Sequence, residues 1–166
     1  MRYQLKCEMT IRKPLEEVFK FFQDPRNLAR ITPPELGFQV TTPGPIEMRK
    51  GAEIDYTIRW LGLPMKWRTL ITDYQPPSLF MDEQLRGPYK LWRHRHDFQE
   101  VDGASVISDR VEYELPLRVL GRFAHALFVG RQLRGIFVYR QRTIAQILGE
   151  QDVSFTEPEI AALGTP

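Results

Sequence analysis

The chain predicts an α+β fold: a curved antiparallel β-sheet of about seven strands wrapped around a long C-terminal α-helix, with two short helices after the first strand. Three observations carry this. Segments of two-residue period recur between positions 36 and 115 with tight turns between them. A helical period takes over from about 122 to 149. Between the first strand and the rest lies a short apolar stripe that opens on Lys13-Pro14.

Each element has its own warrant. Tyr3, Leu5, Cys7, Met9 and Ile11 alternate with polar residues, the signature of a strand over 3–11 with one face buried. Pro14 sits where a helix tolerates proline, and Leu15, Val18, Phe19 and Phe22 follow at helical spacing. Asp24-Pro25 restarts a second short helix, with Leu28 and Ile31 as its apolar side and Thr32-Pro33-Pro34 as its end. Strand-like segments follow at about 36–42, 52–60, 64–74, 78–86, 89–100 and 104–115. Connections as short as Val101-Asp102-Gly103-Ala104 leave successive strands only the antiparallel arrangement. Phe123, Leu127, Leu133, Ile136, Phe137, Ile144, Ile147 and Leu148 then mark a long amphipathic helix, with Gly149 as its cap and a break near Gly130 allowed. Residues 150–166, with two prolines and few large apolar side chains, read as a tail.

Composition narrows the class. The 166 residues suffice for one domain with a core, at 42% hydrophobic and 27% charged. Ten Phe, six Tyr and three Trp point to ring-lined surfaces. A formal charge of +2 is too small to imply a polyanionic partner, and no nucleic acid is expected. Cys7 is alone, which excludes an internal disulfide and a CxxC metal site. The first residues, MRYQLKCEMTIRK, are too charged for a signal peptide, and no apolar run approaches the ~18–20 residues of a membrane span. The expected location is therefore the cytoplasm.

The stretch GPYKLWRHRHDF, residues 87–98, holds two of the three histidines. On a strand, Trp92, His94, His96 and Phe98 share one face, while Arg93, Arg95, Asp97 and Gln99 share the other. Water takes the second set, so both imidazoles face inward and need partners.

Several strings carry a resemblance: Ile11-x-x-Pro14-x-x-x-Val18-Phe19, Phe80-x-Asp82-x-Gln84-x-x-Gly87-Pro88-Tyr89, Trp92-x-His94-x-His96-x-Phe98 and Asp109-x-Val111-x-Tyr113-x-x-Pro116. With the element order, they resemble the START-like (SRPBCC) superfamily of helix-grip proteins, which includes Bet v 1-type and polyketide cyclase-like members. The resemblance spans roughly residues 3–149 and implies one ligand-binding domain, 1–149, followed by the tail. It implies a cavity between the sheet and the long helix, entered near the loops and the helix N-terminus. Functions in this superfamily range over lipid, steroid and polyketide binding, cyclisation and chaperone co-factor roles, so the scaffold leaves the chemistry open.

Strand phase then says what faces that cavity: Tyr56, Ile58 and Trp60; Trp67, Thr69 and Ile71; Phe80, Asp82 and Gln84; Trp92, His94, His96 and Phe98; Ile107, Asp109, Val111 and Tyr113. The expected ligand-binding set is Tyr56, Trp60, Trp67, Phe80, Asp82, Gln84, Trp92, His94, His96, Asp109 and Tyr113. Asp82, Gln84, His94, His96 and Asp109 read first as a mutually satisfied internal network and next as polar anchors for a small hydrophobic ligand. A second function is a cyclase or dehydratase in which His94 or His96 acts as base, tuned by Asp82 or Asp109. A His-x-His pair with a carboxylate also suits zinc, but that pair alone is a weak signal, so no metal and no cofactor is expected. Six arginines between 118 and 142, with no acid among them, give a third function: an interaction protein acting through its basic helix. A solvated back face explains them more simply. His125 fits a surface position, and the oligomeric state is left open.

Overall fold

In β1 (Arg2–Ile11) the buried side chains are Tyr3, Leu5, Cys7, Met9 and Ile11, the alternation its sequence predicts. The structure, a computed structural model, describes residues 1–60, 62–116, 128–148 and 153–164, the Trp60 side chain excepted. Two short helices follow β1, α1 (Leu15–Phe22) and α2 (Asn27–Arg30), then a 3₁₀ turn over Pro34–Leu36. Pro14 caps α1, and Val18, Phe19 and Phe21 are its buried side. Asp24 does not cap α2 directly; its Oδ1 accepts the Arg26 N–H at 3.0 Å, closing the turn that leads into the helix.

Six strands complete the expected meander: β2 (Gln39–Val40), β3 (Glu53–Trp60), β4 (Leu63–Gln75), β5 (Leu79–Arg86), β6 (Leu91–Val101) and β7 (Ala104–Glu114). Every pairing is antiparallel, in the order β2-β3-β4-β5-β6-β7-β1. Asp102 and Gly103 both have positive φ, 51° and 73°, as a two-residue hairpin between right-twisted strands requires. Register shifts at Arg68/Thr69 and Ile71/Asp73 put irregularities into the β4–β5 pair, which bend the strands.

The stretch expected as a tail pairs with β1 instead. β8 (Val153–Phe155) lies against Met9–Ile11 and β9 (Glu159–Leu163) against Arg2–Lys6, making a sheet of nine strands. The physical reason is the far edge of β1, whose backbone groups would otherwise be unpaired.

α3 (Gly130–Leu148) buries Leu133, Phe137, Gln141 and Ile144. Phe137 joins a core cluster with Leu5, Trp67, Val111 and Tyr113, and Ile144 joins another with Ile11, Phe19, Phe98 and Ile107. Gln141 interrupts the apolar stripe for a reason: its Nε2 donates to the carbonyls of Glu8 and Thr156, both at 3.2 Å, tying helix to sheet. Residues 117–127 and Gly149, and with them the helix start expected near 122, the expected cap and His125, lie outside the described residues.

Candidate functional site

β6 lies between β5 and β7, and this position assembles the polar cluster. Asp82 faces His94 across one pairing, and Asp109 faces His96 across the other. The close contacts also run along the diagonals, as they do for side chains on one face of a sheet. His94 Nε2 is 2.9 Å from Asp109 Oδ1, and His96 Nε2 is 3.3 Å from Asp82 Oδ2. His96 Nδ1 lies 2.8 Å from Asp109 Oδ1, too poorly aligned for a hydrogen bond but well placed as an ion pair. The two rings are 3.7 Å apart at 37°, with His96 stacked on Phe80 at 4.1 Å.

Charge distributes unevenly over this group. For Asp109, burial alone would raise the pKa, but the hydrogen bonds and charges of both histidines hold it far below the carboxylate range. Burial would likewise lower His96; Asp109 and Asp82 outweigh it and raise the pKa. At His94, burial and the neighbouring His96 prevail and lower it. Where only one of the two imidazoles carries a second proton, these directions put it on His96, between the carboxylates, and leave His94 neutral. An ionised Asp109 can only accept, so His94 carries its proton on Nε2 and presents Nδ1 as a lone pair.

These shifts have a measurable sign. A raised His96 makes the native state bind more protons than the unfolded chain above the ordinary value of 6.5. Its stabilisation is complete below that value and lost as pH rises through the folded one. His94, lowered, acts in the opposite sense: stability falls as pH drops below 6.5. Asp109 adds stability above the ordinary 3.8, which is lost as pH falls below it. Urea unfolding followed from about pH 5 to 9 is expected to show stability declining on the alkaline side, and His96→Gln is expected to remove that decline. A flat alkaline limb in the native protein would contradict the assignment of the proton to His96.

In front of the cluster lies a cavity of about 130 Å³, lined by Asp82, His94, His96, Phe80, Thr69 and Ile71 from the sheet and by Phe21, Phe22, Leu28 and Ile31 from the helical segment. A second compartment of about 80 Å³ shares Leu28, Phe38, Tyr56, Trp92 and Arg140 with it and adds Trp67, Tyr89, Leu133 and Phe137. Of the residues expected to face a ligand, Tyr56 and Trp92 line both compartments, Trp67 the second, and Phe80, Asp82, His94 and His96 the first. The Trp60 side chain lies outside the description.

Three expected residues lie elsewhere. Asp109 stands behind the histidines and lines neither compartment. Tyr113 is fully buried and stacks on Tyr3 at 5.6 Å, a core position. Gln84 closes onto the turn that follows it: its Nε2 donates to the Tyr89 carbonyl at 2.6 Å, and its Oε1 accepts the Tyr89 N–H at 3.2 Å. That clamp explains Gly87, where a Cβ would meet Gln84 Oε1 at 2.3 Å. Asp82, His94 and His96 offer ligand atoms within 4.8 Å of one another, close enough to converge on a metal ion, and within that set His96 Nε2 and Asp82 Oδ2 are already hydrogen-bonded to each other at 3.3 Å.

Two features of the wall escaped the strand-phase reading. One is the helical segment, whose Phe21, Leu28 and Ile31 roof the cavity. The other is Arg140, expected on a solvated helix back. Arg131, Arg134 and Arg142 are exposed, and Arg118 and Arg122 lie outside the described residues. Arg140 instead turns inward between the compartments, its guanidinium 4.8 Å from the Phe137 ring centre. Position 140 follows Phe137 by three and precedes Ile144 by four, so helix geometry puts it in the buried stripe.

A chain of hydrogen bonds completes the wall. Trp67 Nε1 donates to Thr69 Oγ1 at 3.1 Å, and Thr69 Oγ1 meets the Tyr56 hydroxyl at 3.2 Å. Burial first, then the Asp82 charge, pushes the Tyr56 pKa up, so this hydroxyl keeps its proton at neutral pH. Three protons then serve two contacts, leaving one hydroxyl hydrogen of Tyr56 or Thr69 without an acceptor among the described residues.

No protein-family model matches the sequence, and no curated protein matches it. Solved structures do. Ginseng major latex-like protein 151 from Panax ginseng aligns with a TM-score of 0.65 at 12% identity, over 89% of this chain and 97% of its own. Protein Ms6760 from Mycobacterium smegmatis aligns at 0.64 and 16% identity, over 88% and 90%. A nucleoside-diphosphate sugar epimerase from Corynebacterium glutamicum aligns at 0.61 and 26% identity over 87% of this chain, which spans only 29% of the epimerase. These likenesses concern the fold and carry no activity with them.

Proposed function

We propose that this chain, which has the helix-grip fold of the Bet v 1-like, START-like superfamily, binds a small hydrophobic or amphipathic molecule between its sheet and its C-terminal helix. The observation that supports this best is the two-compartment cavity, apolar over most of its wall and polar where His94, His96 and Asp82 meet it. Volume narrows the ligand class. An engineered protein cavity of ~150 Å³ holds benzene, so a compartment of about 130 Å³ suits one aromatic ring or a short chain better than a sterol. No helix among the described residues is long and apolar enough to cross a membrane.

A single-ring, environment-sensitive fluorophore, dimethylaminobenzonitrile, tests the reading. Saturable fluorescence enhancement, displaced by small aromatic competitors and retained in His94→Gln and His96→Gln, is the expected result. An enhancement that never saturates, or that no competitor displaces, would contradict it.

A second reading has its own observation. A neutral His94, held by Asp109 and carrying a lone pair on Nδ1, lines the cavity as a general base would. Under that reading the chain is a cyclase- or dehydratase-like enzyme, and His94→Gln abolishes turnover while leaving probe affinity intact.

A further inference from the structure

Among the described residues Arg140 has no counter-ion. It makes no hydrogen bond or ion pair with any of them, and its Nε is fully buried with no acceptor there. Its guanidinium lies over the face of Phe137, which attracts the charge but does not accept the N–H groups in the guanidinium plane. A guanidinium offers five donors in a fixed fork, and a buried donor left unpaired is costly. Arg140 nevertheless sits in the centre of the inward stripe of α3, where an apolar residue would pack without that cost.

The rest of the wall is short of acceptors for it. Two acids line the first compartment. Asp24 is at the exposed rim and accepts the Arg26 N–H; Asp82 is paired with His96 and approached by His94. Among the described residues the second compartment has no acid in its wall, and it adds a second, exposed arginine, Arg59, that makes no ion pair with a described residue. The Tyr56–Thr69 pair adds its surplus hydroxyl hydrogen to the same wall. Where the two compartments meet, the wall thus presents the Arg140 guanidinium and this hydroxyl, while its two described acids already have partners of their own.

We infer that Arg140 anchors a carboxylate on the ligand, with the Tyr56–Thr69 hydroxyl pair as second donor and the apolar body of the molecule in the compartments on either side. The inference rests on the reading of the cavity as a ligand site. A carboxylate matches the guanidinium fork with two parallel hydrogen bonds. Its single charge suits a wall that already holds the Asp82 carboxylate, where a phosphate dianion would meet more repulsion. Arg59, at the outer side of the second compartment, draws the anion in.

The test compares two molecules of nearly equal shape, phenylbutyrate and phenylbutanol, by calorimetric titration at neutral pH. The native protein is expected to bind the acid about 10–100-fold more tightly than the alcohol, the range that hydrogen bonds to a charged group supply. Arg140→Met keeps a side chain to cover Phe137; it should abolish that preference by weakening the acid far more than the alcohol. Arg140→Lys, charged but without the fork, should keep part of it. The native comparison stands even if a variant folds poorly. Equal binding of acid and alcohol would overturn the anchor and leave the ligand-site reading standing. Binding of neither would overturn both. Tighter binding of phenylpropyl phosphate than of phenylbutyrate would overturn the choice of carboxylate.

Discussion

Asp109→Ala should lower the unfolding free energy by about 3–5 kcal/mol, the usual cost of removing one partner from a buried ion pair. Its carboxylate is enclosed and faces both imidazoles, at 2.9 Å from His94 and 2.8 Å from His96. Without it His94 loses the acceptor at Nε2, and His96 retains Asp82, at 3.3 Å, as its carboxylate partner among the described residues. His96 should then give up its proton more readily, and the alkaline decline in stability should shrink in the same variant. Asp109→Asn keeps the shape and an acceptor for His94, so it should cost less than Ala. Urea unfolding measures all three effects. A loss below about 1 kcal/mol for Asp109→Ala would mean that the cluster does not hold this charge pair.

Phe137→Ala should cost a similar amount, about 3–5 kcal/mol, because it removes a large ring that cannot be replaced by collapse on all sides. Phe137 is 1% exposed. Its ring meets His94 at 5.6 Å on one side and the Arg140 guanidinium at 4.8 Å on another. It also lines the second compartment, so its loss enlarges the space available to a ligand. The variant should therefore recover more stability than the native protein when saturated with phenylbutanol, since ligand binding to the folded state alone stabilises by mass action. Thermal unfolding with and without the alcohol reads both effects. An unaltered melting temperature would place Phe137 outside the core.

What could be read from the sequence followed from period. Two-residue alternation set the strand faces, and with them the inward placement of His94, His96 and Phe98 and the matching phase of Asp82 and Asp109. Diagonal contacts between those strands needed register, which alternation alone does not supply: it says which face, not which neighbour. The same limit applies to Gln84, whose phase is that of Asp82 but whose amide is drawn to the Tyr89 backbone by the turn between them. β8 and β9 were illegible because Val153–Phe155 and Glu159–Leu163 carry few large apolar residues; backbone pairing to β1 recruits them. The roof over the cavity was hidden for another reason. Phe21, Leu28 and Ile31 declare an apolar side, but nothing local to them states what it covers.

Arg140 is different, because its signal was present. The spacing Leu133, Phe137, Arg140, Ile144 puts a charge inside an apolar stripe. Reading the arginines as one basic run concealed it. A charge at such a position conflicts with its local pattern, and conflicts of that kind concentrate at functional sites.

The central claim is that the space between the sheet and α3 receives a small ligand. It is tested most directly by an NMR titration of the labelled protein with phenylbutanol, following the Trp92 indole N–H, the His94 and His96 ring protons and the Ile54 and Ile71 methyls. Saturable shifts confined to these and neighbouring cavity residues are expected, with exposed groups such as Leu85 and Val101 unmoved. Shifts scattered over the surface, or none at the cavity wall at saturating alcohol, would contradict it.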